Sequence, residues 1–242
     1  MTVLVISGTD TGVGKTTVTS AIAALAVAAG RRVAVLKPTQ TGVGVGELGD
    51  LDEVRRLAGP TVTCRELARF PDPLAPVTAA RIAGLIPVTT ATTAEVARKL
   101  AAEHDLLLIE GTGGLLVHLD GKGGTLADVA AALLAPVLVV AAAGLGTLNH
   151  TALTVEALRT RHLSCVGIVI GAWPAKPDLA ARCNLVDLPA VTGLPLLGAL
   201  SEGAGNLSPA EFLPLARRGL GPGLQALGWW SLETGATGVG RP

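Results

Sequence analysis

The 242-residue chain contains no tyrosine, two phenylalanines and three tryptophans. Its core must therefore be assembled from Ala, Val, Leu and Gly, which suit close packing of helices on a sheet. Cysteine is scarce as well. Cys64, Cys165 and Cys183 are odd in number, widely spaced and form no Cys-x-x-Cys pair. That excludes a disulfide framework and predicts a reduced, cytoplasmic chain. The four histidines are equally scattered, so no zinc site is expected. Charge of one sign is missing too: 19 basic and 19 acidic residues cancel, with no run of either kind. No nucleic-acid-binding surface is predicted from such a balance. The N-terminus enters a strand pattern without a basic stretch, so no secretory leader is expected. One uncharged run, from Val129 to Leu148, is about as long as a membrane span. Pro136 divides it, and Gly144, Gly146 and Thr147 break its far end. It reads as the end of a buried helix followed by a buried strand, and no membrane association is predicted.

What is present is an alternation. "TVLVIS", "RVAVLKP", "DLLLIE", "PVLVVAA", "CVGIVIG" and "LPLLGAL" read as strands, the second stopped by Pro38. Between them lie a helix from Lys15 to about Ala29, a short helix "DLDEVRRLAG" ended by Gly59, and "VARKLAAE", with Thr92 and Glu95 spaced as a capping box. "NHTALTVEALRTR" is a further helix, and "SPAEFLPLARRGLGPGLQAL" a closing one expected to be broken. Residues 60–88, rich in Pro and Thr, read as irregular. Wholly apolar strands separated by helices predict an α/β fold, a doubly wound, mostly parallel sheet with helices on both faces. The expected extent is one domain over residues 1–230, with a mobile tail over residues 231–242.

In such sheets ligands bind beyond the carboxyl ends of the strands. The first strand is followed by "GTDTGVGKTT". The common spacing Gly-x-x-x-x-Gly-Lys-Thr would place its first glycine at residue 9, but Thr9 stands there and the glycine is Gly8. Gly12, Val13, Gly14, Lys15, Thr16 and Thr17 still supply a loop whose N–H groups converge on phosphate at a helix N-terminus. In that reading Lys15 reaches the β- and γ-phosphates of a nucleoside triphosphate, and the Thr16 hydroxyl binds Mg²⁺. Lys37 and Thr41 follow the second strand. Two lysines at one phosphate site point to transfer onto an acceptor that is itself anionic. Asp50 opens the next helix, with Asp52 and Glu53 as rivals for any metal role. Glu110 ends an apolar strand and is followed by Gly111, Thr112 and Gly113. A partly desolvated carboxylate there needs a partner, and Mg²⁺ is the natural one. No Ser/His/Asp or Cys/His nucleophile set is evident.

"GTDTGVGKT", "KPTQTG", "IEGTGG" and "GLGTLNHTALT", in this order and spacing, resemble the dethiobiotin synthetases of biotin biosynthesis over about residues 2–200. The shifted phosphate loop is that family's own form. The resemblance implies a homodimer that uses ATP or another nucleoside triphosphate, Mg²⁺, 7,8-diaminononanoate and CO₂ or bicarbonate. It implies catalytic roles for Lys15 and Lys37, metal ligation by Thr16, Asp50 and Glu110, and substrate contacts from Thr11, Lys37 and Thr41. It also implies that Thr147, Leu148 and Asn149 receive the substrate carboxylate across the dimer, at a helix start near Asn149. The chain departs from the family in the stretches expected to hold the base. Gly171 and Ala172, in "GAWP", stand where an Asn is frequent, and Leu200, Ser201 and Glu202 where a proline is common. Several triphosphates are therefore expected to serve. Three alternatives stay open: a partitioning or septum-positioning (ParA/MinD-like) ATPase switch, an amide-forming ligase of corrin biosynthesis, and a nucleotide-binding module without turnover. The first normally carries a lysine where this chain has Asp10; the second needs a glutaminase domain that this chain has no room for.

Overall fold

The computed structural model describes residues 2–227, so the expected tail lies outside the described residues. Seven strands form one all-parallel sheet: β1 (Thr2–Gly8), β2 (Val33–Thr41), β3 (Thr63–Phe70), β4 (Leu106–Gly114), β5 (Val137–Ala141), β6 (Cys165–Trp173) and β7 (Leu196–Ser201). Their order across the sheet is β3-β2-β4-β1-β5-β6-β7. The chain winds outward to β3, returns to place β4 between β1 and β2, then winds outward the other way. That reversal opens a crevice at the carboxyl ends of β1, β2 and β4.

Successive side chains on each strand face opposite ways, and the core divides accordingly. Leu4, Ile6, Val35 and Leu108 face α1 (Lys15–Ala28), α2 (Asp50–Ala58) and α8 (Pro209–Ala226). Val5, Leu36, Leu107 and Ile109 face α4 (Thr90–Glu103), α5 (Leu126–Leu133) and α6 (Thr147–Thr160). Short α3 (Pro76–Ile82) lies near the β3 edge, and α7 (Leu179–Thr192) precedes β7. Among the described residues no helix is long and apolar enough to cross a membrane.

Five sequence readings need correction. First, β2 runs through Pro38 to Thr41, because pairing with β4 ends at Leu36 and only the edge strand β3 accompanies it further. Second, residues 60–88 are not irregular. They contain β3 and α3, and β3 ("TCRELARF") escaped notice because an edge strand is half exposed and shows no apolar run. Third, α4 is capped by Thr89, whose hydroxyl accepts from the Thr92 N–H at 3.1 Å, while Glu95 pairs with Lys99 instead. Fourth, α6 starts at Thr147, two residues before Asn149.

Fifth, α8 is one continuous helix. Its Pro214 and Pro222 point to solvent, and Phe212, Ala216, Leu220 and Leu224 make its buried stripe. Gly219 and Gly223 do not break it. They let it lie against β7: a Cβ on Gly223 would sit 1.9 Å from the Leu197 carbonyl oxygen, and one on Gly219 2.5 Å from that of Ala199.

Candidate active site

The phosphate loop links β1 to α1, and its geometry accounts for the early glycine. Lys15 folds back over the loop, and its Nζ donates to the Asp10 carbonyl at 2.8 Å. A Cβ on Gly8 would lie 2.8 Å from that Nζ and 2.7 Å from the Asp10 oxygen. Residue 8 must therefore be bare for the lysine to pass. Gly14, at φ 92°, caps α1 in the left-handed region. Gly171, at the end of β6, packs directly on the loop: a Cβ there would fall 2.0 Å from the Val13 oxygen. Its observed role is to seat the loop.

Four polar side chains from different elements meet beside it. Lys37, on β2 and 2% exposed, holds Glu110 Oε1 of β4 at 2.8 Å and Asp50 Oδ2 of α2 at 2.6 Å. It also donates to the Gly111 carbonyl at 3.3 Å. The Thr16 hydroxyl donates to the same Glu110 oxygen at 2.8 Å. Burial works against the charge on Lys37, but Glu110 and then Asp50 outweigh it and hold its pKa above the ordinary lysine value. Lys15 lacks such partners. Burial, and then the nearby Lys37 charge, bring it down from 10.5 to about 8. Lys15 is therefore the ammonium with no carboxylate paired to it, while the charge of Lys37 is shared with Glu110 and Asp50.

Geometry separates the three acidic residues of α2. Asp52 Oδ2 accepts from the Gly49 N–H at 2.8 Å, capping the helix, and Glu53 pairs with Arg56 Nε at 2.8 Å. Asp50 alone of the three reaches Lys37. Glu110 is fully buried, and its Oε2 has no hydrogen-bond partner. An orphaned buried carboxylate oxygen beside a hydroxyl and a second carboxylate is an all-oxygen set of the kind that suits Mg²⁺.

A cleft of about 320 Å³ is lined by Thr11, Gly12, Gly14, Lys15, Thr16, Thr17, Lys37, Gln40, Thr41, Asp50, Glu110, Thr112 and Gly113. A second, of about 270 Å³, shares Thr11, Thr41, Thr112 and Gly113 with the first and adds Pro73, Leu74, Ala75, Pro76 and Val117. Phosphate-side and apolar-side spaces therefore meet at one wall.

The other expected residues stand apart from these clefts. Thr147, Leu148 and Asn149 form the first turn of α6, with Thr147 buried and Asn149 exposed. Ala172 is half-buried on β6, and the Glu202 N–H bonds the Trp173 carbonyl at 2.8 Å. Ser201, the last residue of β7, and Glu202 just beyond it are exposed. Leu200 is a correction: it is wholly buried beneath α8, so its side chain has no surface to offer a base.

Two features escaped sequence reasoning. The wall at residues 73–76 falls in the segment read as irregular. Gln40 is 4% exposed, and its Oε1 accepts from the Asp50 N–H at 3.0 Å. Its position in "KPTQTG", between two lining residues of the same strand end, was the available signal.

A family profile described as an AAA domain matches residues 2–205. The ATP-dependent dethiobiotin synthetase BioD of Streptomyces coelicolor is 63% identical over 233 residues, which cover 96% of this chain and 97% of the relative. That of Saccharopolyspora erythraea is 65% identical over 231 residues, 96% of this chain and 100% of the relative. Among solved structures, the MinC:MinD cell division protein complex of Aquifex aeolicus superposes with a TM-score of 0.61 at 12% identity, covering 98% of this chain and 100% of that chain. The septum site-determining protein MinD of Pyrococcus horikoshii, complexed with Mg-ADP, gives 0.58 at 17% identity, covering 93% of this chain and 95% of that chain. At these identities the two structures speak to the fold alone.

Proposed function

Because this chain belongs to the family of ATP-dependent dethiobiotin synthetases, we propose that it closes the ureido ring of dethiobiotin from 7,8-diaminononanoate, CO₂ and a nucleoside triphosphate, in the cytoplasm. One uncharged amine attacks CO₂ and loses a proton, leaving a carbamate anion. A carbamate oxygen then attacks the γ-phosphorus, and the bond to the β-phosphate oxygen breaks with its electron pair leaving on the diphosphate. The second amine attacks the carbonyl carbon of the carbamic-phosphoric anhydride, expels phosphate and loses a proton as the ring closes.

The side chains divide this work. Gly12 to Thr17 bind the phosphates through backbone N–H groups, and Lys15 balances the charge of the terminal pair. Lys37 faces both the travelling phosphoryl group and the carbamate, two anions that repel until a cation stands between them. Thr16, Asp50 and Glu110 would hold Mg²⁺, which supplies further neutralisation of the triphosphate oxygens. Thr11 and Thr41 stand where the phosphate cleft opens into the apolar one, whose Pro, Leu and Val lining suits the hydrocarbon chain of the diamine. In a homodimer the first turn of α6, Thr147 to Asn149, would offer its N–H groups to the distal carboxylate of a substrate bound by the partner subunit.

The observation that carries this reading is the shared wall of Thr11, Thr41, Thr112 and Gly113, with two lysines on its phosphate side. The test is direct: purified protein, diamine, bicarbonate, Mg²⁺ and each triphosphate in turn, with product followed by mass. Phosphate release that requires both diamine and bicarbonate supports the reading. Hydrolysis indifferent to both, or stimulated by DNA or lipid, refutes it. A sedimenting species of monomer mass at assay concentration would remove the shared site.

A further inference from the structure

Asp50 is the one member of the charged cluster that sits neither on a strand nor in the phosphate loop. It opens α2 after the segment 42–49, which holds glycines at 42, 44, 46 and 49 and leaves Val45 and Leu48 facing solvent. Such a segment has little side-chain packing of its own with which to fix where the helix begins. The carboxylate of Asp50 nevertheless stands 2.6 Å from Lys37. Something outside the segment must place it.

The fixing contacts come from β2 and β3. Gln40 presents Oε1 to the Asp50 N–H at 3.0 Å, and its Nε2 donates to the Thr41 carbonyl at 3.3 Å. The first N–H groups of a helix have no partner within it. Asp52 satisfies that of Gly49, and Gln40 satisfies that of Asp50 itself. Arg69 of β3 reinforces the arrangement, donating to the Glu47 carbonyl at 2.6 Å while Glu66 Oε1 holds its Nε at 2.7 Å. Gly49 leaves room for both: a Cβ there would lie 3.0 Å from Gln40 Oε1 and 2.9 Å from Arg69 Nη2.

We propose that Gln40 is a positioning residue for the metal site, holding the start of α2 so that the Asp50 carboxylate faces the metal beside Glu110 and Thr16. Gln40 lines the phosphate cleft, but its effect on the metal runs through the backbone of Asp50. The inference rests on the metal-nucleotide reading above. Partners that orient ligands typically change metal affinity by about ten- to a hundredfold when lost.

The test measures Mn²⁺ affinity by electron paramagnetic resonance on the full-length protein saturated with ADP, alongside ADP affinity in EDTA and the melting temperature. Gln40→Met fills the same space without an acceptor, and should weaken Mn²⁺ by about tenfold or more, far more than it changes metal-free ADP affinity. Gln40→Glu keeps an acceptor opposite the Asp50 N–H and should recover most of the loss. Gly49→Ala, which crowds the same amide from the other side, should weaken Mn²⁺ in the same direction, and it carries the test if Gln40→Met does not fold. A folded Gln40→Met with wild-type Mn²⁺ affinity overturns the proposal, as does a Gln40→Glu no better than Gln40→Met. A wild-type protein that binds ADP but no Mn²⁺ is a different result: it removes the metal site itself, and the proposal with it.

Discussion

Replacing Lys37 by methionine removes a charge while keeping most of the stem. The ammonium it deletes is the shared partner of a fully buried carboxylate, Glu110, and a half-buried one, Asp50. Breaking a buried pair from one side costs about 3–5 kcal/mol, because the remaining charge is left uncompensated. At about 2–4 °C per kcal/mol for a chain of this size, the melting temperature should fall by roughly 6–20 °C. The informative part is the response to metal. In the wild type the ammonium already neutralises Glu110 Oε1 and Asp50 Oδ2, so Mg²⁺ without nucleotide has little to gain. In Lys37→Met the carboxylates face each other with Thr16 beside them, and Mg²⁺ alone should restore stability, by about 2.7 kcal/mol at a hundred times its Kd. Turnover should fall about 10²–10³-fold or more, the usual cost of one lost electrostatic donor at the reacting centre. Nucleotide affinity should hold, since Gly12 to Thr17 are untouched. Differential scanning fluorimetry with MgCl₂ or EDTA, calorimetric ADP titration and product mass read the three quantities. Equal Mg²⁺ shifts in both proteins would refute the charge argument, and nucleotide binding lost in step with turnover would refute the assigned role.

Four further outcomes are expected. Lys15 titrates at about 8 in the free protein and near 10.5 when unfolded, so the unfolded chain binds more protons across that window and stability from this group rises with pH there. Triphosphate binding needs the charged form. Affinity should therefore fall as pH climbs through 8, with proton uptake seen by calorimetry in buffers of different ionisation heat; pH-independent binding up to 10 would contradict this. Gly171→Ala places a methyl 2.0 Å from the Val13 oxygen and should weaken ADP binding at least as much as it weakens the fold, read by titration and melting. Gly223→Ala gains about 1 kcal/mol of helix propensity but forces a methyl to 1.9 Å from the Leu197 oxygen. Overpacking of about 1–3 kcal/mol should win, and a raised melting temperature would show that α8 can shift. With no amide side chain at Gly171 or Ala172, kcat/KM for ATP, CTP and GTP should lie close together, and a large preference for ATP would dispose of that expectation.

The residues that meet at the site were legible for a reason specific to parallel sheets. Lys37 and Glu110 come directly after the apolar first halves of β2 and β4, Lys15 opens the helix after β1, and all strands of such a sheet point their carboxyl ends the same way. Finding the strands therefore locates the chemistry without knowing their order. Asp50 could not be separated from Asp52 by the same logic, because both lie in the first turn of one helix. Only the Gly49 N–H, bonded to Asp52, and the Lys37 ammonium, bonded to Asp50, set the two apart. Edge elements were illegible for the converse reason. β3 has one neighbour and a wet face, so its alternation of Arg, Glu and Ala carries no apolar run, and the wall built from residues 73–76 went with it.

Glycine was the hardest residue to read, since it marks two opposite things. At Gly14 it permits a left-handed turn, and at Gly223 it permits a helix to touch a strand. Local sequence cannot separate the two, because the atom that forbids a side chain at Gly223 belongs to Leu197, on a different element. A chain this poor in aromatics packs backbone against backbone, so many of its glycines answer to distant contacts. The phosphate loop combines both uses. Gly14 turns it, while Gly171, remote in sequence, lets it pack down on the end of β6.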